Sequence, residues 1–329
     1  METLFVPLRF RPVYQTYLWG GENLKTRLGR SDAPEGIVAE SWEISDRDDG
    51  MGVVAEGPWA GKSFREVMEA HGASILGERC TAERFPLLIK VLDAAKTLSV
   101  QVHPNDETAK EFGGEAKTEM WYVLEAEPEA VVYCGLKEGV TPEAFRAAIE
   151  ANTLEGLMKT IPVKPGDAIF VPGGRVHAIG AGCLLLEVQQ NSNTTYRIYD
   201  WARVDADGKG RELHIDKALE VTLWEDPDSA LTPAEALEPF CGLEREKIME
   251  SPYFRLELLQ VPGDASLTFD GKSFQVLFAV KQGVTVTGNG ETVDVPMGSS
   301  VLIPAALTEV EIVPDAADAR IMRVFLPEG

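Results

Sequence analysis

The sequence predicts a mainly β protein built from two copies of one sandwich or barrel, the first copy interrupted by a helix. Three observations carry that expectation. Short apolar, β-branched segments punctuated by Gly and Pro recur through most of the 329 residues, as in a sandwich or barrel. The segment VKPGDAIFVPGG at 163–174 has a counterpart in VPMGSSVLIPAA at 295–306, with Gly166 over Gly298 and Pro172 over Pro304, 132 residues apart in both cases. The acidic, Pro-containing stretch EDPDSALTPAEALEP at 225–239 reads as a linker with room for one helical turn, between a first unit at 1–224 and a second at 240–329.

Each element follows from local signals. Ser63 is an N-cap with Glu66 three residues on, a capping box, and Phe64, Val67, Met68 and His71 follow at helical spacing until Gly72. Residues 86–103 (PLLIKVLDAAKTLSVQVH) begin and end as strands around a polar turn at 93–97. MWYVLEA, AVVYCGL, AIFVPGG, CLLLEVQQ and TTYRIYDW extend the β pattern to about Tyr199. Thr141 as N-cap and Pro142 at the first helical position open a helix with Phe145, Ala148, Ile149 and Leu154 on one side. Another helix is expected over 215–224. Beyond the linker, YFRLELLQV, FQVLFAV, VTVTGNGETVDV, SVLIPA, EVEIV and RIMRVFL read as strands of a second β unit. EMWYVLEA at 119–126 lies over QVLFAVKQ at 275–282 with an offset of 156, and the excess over 132 is about the length of the helical excursion at 137–160.

Composition excludes several classes. With 31 Lys+Arg against 53 Asp+Glu the formal net charge is -22, which speaks against a nucleic-acid partner because phosphate neutralisation needs clustered cations. Cys80, Cys134, Cys183 and Cys241 are widely spaced, without a C-x-x-C pair, so neither a disulfide framework nor a zinc ribbon is expected. The start METLFVPLRF lacks a basic segment followed by an apolar one, and no apolar run approaches the ~18 residues of a membrane span. A cytoplasmic protein without membrane association is therefore expected; oligomeric state is not encoded in these patterns. GPWAGKS at 57–63 is one residue short between its glycines for a phosphate loop and carries bulky Pro58 and Trp59, so it reads as a turn leading into the helix capped by Ser63.

Only His71, His103, His177 and His214 can supply imidazole, and the second copy contains none of them: His177 falls on Glu309 under the repeat. Gln101 and His103, two apart at the end of a strand, project on one face. Glu119 precedes the strand MWYVLEA, and His177 follows the turn VPGGRVH. Two imidazoles, a carboxylate and an amide oxygen at three strand ends make a mixed N/O set for a divalent ion with an open position, zinc or a similar metal being the natural occupant. A single His at a strand end is ordinarily a surface or hydrogen-bonded residue, and spacing alone leaves both alternatives standing. His71 and His214, each on or near a short helix, read as structural or solvent-facing.

LSVQVHPND (98–106), KTEMWYVLEAEPEA (117–130), VPGGRVHAIGAG (171–182) and LLEVQQNSNTTYRIYDW (185–201), preceded by AESWEIS (39–45) and FPLLIKVLDA (85–94), resemble in order the signature blocks of the type I mannose-6-phosphate isomerases, short bacterial form. The resemblance spans nearly the whole chain. It implies two cupin-like domains, each a double-stranded β-helix or jelly roll, with a small helical subdomain, the second domain without metal. It further implies one zinc per chain on Gln101, His103, Glu119 and His177, an active-site arginine at Arg197, a pocket lysine at Lys117, and further pocket positions at Glu187 and Lys90.

The implied reaction interconverts mannose 6-phosphate and fructose 6-phosphate through a cis-enediol. That chemistry needs a Lewis acid, a proton-shuttling base and cations for the oxyanion or the phosphate. Arg197 with zinc is expected at the enediolate, Lys117 or Glu187 at proton transfer, and Lys90 at phosphate or sugar contacts. A dianionic sugar phosphate approaching so acidic a chain demands a locally positive cavity, to which Arg175 is a further candidate contributor. The competing expectations are another metal cupin, such as an iron oxygenase, and a non-catalytic sugar-phosphate-binding cupin.

Overall fold

The computed structural model describes residues 4–204, 208–226 and 228–328. In chain order its strands are β1 (Phe10–Arg11), β2 (Val13–Gln15), β3 (Glu40–Ile44), β4 (Val53–Val54), β5 (Leu87–Ala94), β6 (Val100–Val102), β7 (Glu119–Ala126), β8 (Val131–Leu136), β9 (Met158–Pro162), β10 (Ala168–Val171), β11 (His177–Ile179), β12 (Cys183–Gln190) and β13 (Tyr196–Tyr199), then β14 (Glu235–Phe240), β15 (Leu243–Glu250), β16 (Arg255–Val261), β17 (Ala265–Thr268), β18 (Gln275–Lys281), β19 (Val284–Gly288), β20 (Glu291–Val295), β21 (Ser300–Ile303), β22 (Glu309–Pro314) and β23 (Ala319–Phe325). The helices are α1 (Asn23–Thr26), α2 (Phe64–Leu76), α3 (Asp106–Phe112), α4 (Pro142–Glu150) and α5 (Ile215–Val221).

The internal repeat is visible in the sheets. A six-stranded sheet ordered β10-β7-β12-β5-β3-β2 faces a five-stranded one ordered β13-β6-β11-β8-β9. In the second half the orders are β21-β18-β23-β16-β15-β14 and β17-β22-β19-β20. Laid in the same direction, β10 corresponds to β21, β7 to β18, β12 to β23 and β5 to β16, so both halves wind the same antiparallel barrel. The aligned glycines have a common cause: Gly166 and Gly298 turn the chain at φ 95° and 77°, a region that penalises any side chain.

Burial on both faces explains why β5 and β12 are largely apolar, with Lys90, Asp93, Glu187 and Gln189 the buried polar exceptions. Inward residues of the first barrel, including Leu92, Trp121, Val123 and Leu185, form its own core. Outward residues Ile89, Val91, Met120, Leu186 and Val188 pack in a shared cluster with Leu256, Leu258, Val276, Phe278, Met322 and Val324 of the second half. The two six-stranded sheets thus lie back to back.

Differences from the expected elements have local reasons. The helix from Ser63 continues past Gly72 to Leu76, kinked where His71 has non-helical angles (φ -140°, ψ 15°), because Ile75 and Leu76 are buried beyond the glycine. VTVTGNGETVDV is a hairpin, not one strand: Asn289 and Gly290 both take positive φ in a two-residue turn between β19 and β20. In the first barrel the corresponding β8 and β9 are joined instead through α4, which locates the insertion. Residues 235–239 of the stretch read as linker pair with β15 as part of β14, while Pro227 lies outside the described residues. Helix α3 was not anticipated, although Asn105 caps it through Glu107 and Thr108 and Gly113 ends it.

Candidate active site

The sequence-selected residues, Arg175 excepted, converge between the two sheets of the first barrel. Cross-strand register does this: His177 is opposite Gln101, Arg197 is opposite the same Gln101, and Glu187 is opposite both Lys90 and Trp121. Alternation along β7, β12 and β5 then turns Glu119, Glu187 and Lys90 inward. Lys90 and Glu187 border a cavity of about 300 Å³ also lined by Tyr17, Trp19, Glu40, Gln101, Lys117, Arg197 and Arg211 among others, whereas Glu119 is fully buried and is not among its lining residues.

His103, Glu119 and His177 are buried with their donor atoms within 4.8 Å of one another. Their chemistry fits a metal ion. His177 Nδ1 lies 2.8 Å from the Arg175 carbonyl oxygen, which can only accept, so Nδ1 carries the proton and Nε2 presents a lone pair 3.5 Å from Glu119 Oε1. Neither Glu119 oxygen accepts a well-aligned hydrogen bond, although Lys117 Nζ lies 2.5 Å from Oε2. His103 Nε2 is 3.6 Å from Glu119 Oε2 and 3.2 Å from Lys117 Nζ. The Gln101 amide meets His177 Nε2 at 3.3 Å, and turning that amide over presents its oxygen to the same point. Burial, with Lys117 adding to it, pushes the His103 imidazole down to about 3, and burial lowers His177 too. Burial works against ionisation of Glu119, but Lys117 and His103 outweigh it and hold the carboxyl well below its usual range. The donor set is therefore deprotonated, as a metal requires.

A second group of charges lies on the cavity lining itself. Lys90 Nζ lies 3.2 Å from Glu187 Oε1, 3.5 Å from Glu40 Oε2, and 5.1 Å from the Trp42 ring centroid. Trp121 Nε1 donates to Glu187 and Trp42 Nε1 to Glu40. Burial would strip the Lys90 proton, but the two carboxylates outweigh it and raise its pKa. Burial, reinforced by Glu119, raises Glu187.

Arg197 faces the cavity from β13, half-buried and without an ion pair among the described residues; burial and the nearby Arg211 lower its pKa. Arg175 is placed elsewhere: it forks onto Asp226 at 2.6 Å through two nitrogens and does not line the cavity. Glu40 and Arg211 were missed as lining residues, and the bonds from His214 to the Arg197 backbone were not foreseen. Glu40 stands in the AESWEIS block, but its approach to Lys90 depends on the β3–β5 register; Arg211 and His214 reach Arg197 only through the return of the chain after β13.

The second barrel carries different groups at the same register. Gln275 stands for Glu119, Glu309 for His177 and Thr268 for Gln101. The pair Lys90–Glu187 is replaced by Glu257–Arg323, with the charges exchanged between strands. Arg323 donates to Gln275 Oε1 at 2.7 Å and to Glu257 at 3.2 Å and stacks on Phe240 and Phe325. The Arg323 guanidinium thus reaches the residue that stands for Glu119 of the His103–Glu119–His177 cluster.

Residues 8–138 match the sequence profile of the phosphomannose isomerase type I catalytic domain, and residues 244–325 that of the mannose-6-phosphate isomerase cupin domain. The chain is 38% identical to mannose-6-phosphate isomerase ManA of Bacillus subtilis over 93% of this chain and 95% of that protein. It is 36% identical to the mannose-6-phosphate isomerase of Streptococcus mutans over 86% and 87%. The crystal structure of a Bacillus subtilis mannose 6-phosphate isomerase superposes with a TM-score of 0.87 at 30% identity, covering 97% of this chain and 99% of that one. Barrels of this winding, one bearing a buried His–Glu–His cluster, together with the matching profiles define a two-domain cupin enzyme. Within that class the chain belongs to the type I mannose-6-phosphate isomerase family.

Proposed function

We propose that this enzyme interconverts mannose 6-phosphate and fructose 6-phosphate through a cis-enediol, using one zinc ion held by Gln101, His103, Glu119 and His177. The observation that carries the proposal is the pairing of a proton-free donor set with a cavity bordered by Lys117, Glu187 and Arg197. When bound, the metal supplies Lewis acidity toward the substrate's adjacent oxygens. Glu187 is the better of the two proton-transfer candidates: burial raises its pKa toward the working range of a general base, and Trp121 fixes its carboxylate. Lys117, an ammonium against Glu119, supports a role at the oxygens of the enediolate, alongside Arg197. Lys90 is enclosed by Glu40 and Glu187, which suits it to steadying Glu187 and meeting sugar hydroxyls more than to neutralising a phosphate. The phosphate falls instead to Arg197, which has no ion pair among the described residues, together with Arg211 on the same lining, whose guanidinium is also held by Asp200 through Nε and Nη2. Lys90, Lys117, Arg197 and Arg211 against Glu40 and Glu187 on the lining support a positive cavity in an acidic chain.

A coupled assay of mannose 6-phosphate turnover, with and without a chelator, tests the proposal. Turnover abolished by chelation and restored by zinc is expected, with Arg211→Ala raising KM for mannose 6-phosphate about tenfold at little cost in kcat, the loss of one charge-assisted contact. Chelator-insensitive turnover, or none with any metal, overturns the reading.

A further inference from the structure

We propose that His214 is a positioning residue that fixes Arg197, an inference resting on the role given to Arg197 above. Arg197 lies on β13, the edge strand of the five-stranded sheet, paired through Gln101 of β6 on one side only. On its open side no strand follows, and the chain returning from the loop supplies the missing partners. The His214 N–H donates to the Arg197 carbonyl at 2.7 Å, and the Arg197 N–H donates to His214 Nδ1 at 3.1 Å. Arg197 Nη1 in turn donates to the Glu212 carbonyl at 2.9 Å.

An edge residue whose amide is unsatisfied is free to tilt, and its long side chain amplifies the tilt. The guanidinium has no carboxylate to restrain it within salt-bridge distance among the described residues, and its buried Nε has no partner. The clasp from residues 212–214 is therefore what aims it. Of the three bonds, only the one at Nδ1 is made by a side chain of the clasp. It needs an acceptor, which a neutral imidazole protonated at Nε2 provides. The His214 ring does not line the cavity, so its influence on the reaction passes through Arg197.

Steady-state kinetics, bound-metal analysis and site-resolved exchange of the Arg197 amide on the metal-loaded enzyme test this. His214→Leu and His214→Ala are expected to lower kcat about tenfold or more, since small misplacements of a catalytic group are costly, with metal content unchanged and the Arg197 amide exchanging faster. His214→Asn, whose Oδ1 can take the place of Nδ1, is expected to restore both amide protection and most of the rate. In an Arg197→Ala background, His214→Leu is expected to cost nothing further. Native protection and rate in His214→Leu, or an equal loss in the Arg197→Ala background, overturns the proposal. Full activity of Arg197→Ala itself overturns the role of Arg197, and is told apart from failure of the clasp because the amide still reports on His214.

Discussion

His103 and His177 show how position changes the chemistry of one residue type. Buried beside Lys117, the His103 imidazole is held down to about 3, and burial lowers His177 as well, whereas histidines in an unfolded chain take up a proton near about 6.5. Below that pH the unfolded state binds more protons than the folded one, so stability is lost as pH falls from about 6.5 toward about 3 and is unaffected by these groups above it. Glu119, depressed by Lys117 and His103, acts in the same sense at lower pH, while Glu187, raised by burial, acts in the opposite sense. The urea midpoint of metal-free protein should therefore be lower at pH 5 than at pH 7.5, and His103→Gln should shrink that difference. An equal midpoint at both pH values would show that the histidines are not held neutral. The ligand candidates were legible because side chains two apart at strand ends share a face. His214 was not, because its partner is the backbone of a residue 17 positions away.

The two barrels show what an element keeps and what it exchanges. Strand order, back-to-back packing and the positive-φ glycine turns are common to both, while the site register diverges to Glu257–Arg323 with Gln275. Glu257 is buried and meets Arg245, Arg255 and Arg323 within 3.2 Å. Burial lowers Arg323 to about 10 against the pull of Glu257. Glu257→Gln removes the one carboxylate shared by three guanidiniums, and is expected to destabilise the protein by about 3 kcal/mol in urea unfolding while leaving bound metal unchanged. A loss of metal would place the second barrel in the metal site; no loss of stability would show the cluster to be solvated. The repeat was readable from the aligned Gly and Pro residues, and the Asn289–Gly290 turn was present as a hairpin signal. The exchange of charges was not readable, since it appears only when β16 is set beside β23.

At the scale of the whole molecule, the seam between six-stranded sheets joins the two barrels through one buried apolar cluster, and the expectation is that they unfold together. Phe278 is fully buried in that seam and belongs to the second barrel, whereas all six tryptophans lie at or before Trp224. Phe278→Ala should cost about 3–5 kcal/mol, and tryptophan fluorescence, whose reporters all lie in the first unit and include Trp59 in the shared cluster, should register the full shift in a single transition. An unshifted fluorescence transition would mean that the barrels unfold independently. No helix among the described residues is long and apolar enough to cross a membrane. By itself, the sequence determined the strand periodicity, the duplication, the inserted helix and the confinement of possible imidazole ligands to the first copy, because alternation, turn chemistry and residue identity are local. Only the tertiary structure decided that Lys90 sits between Glu40 and Glu187, that Arg175 turns to Asp226, and that His214 clasps Arg197. Those contacts depend on cross-strand register and on where the chain returns to the sheet edge, and neither is written in the spacing of residues along one strand.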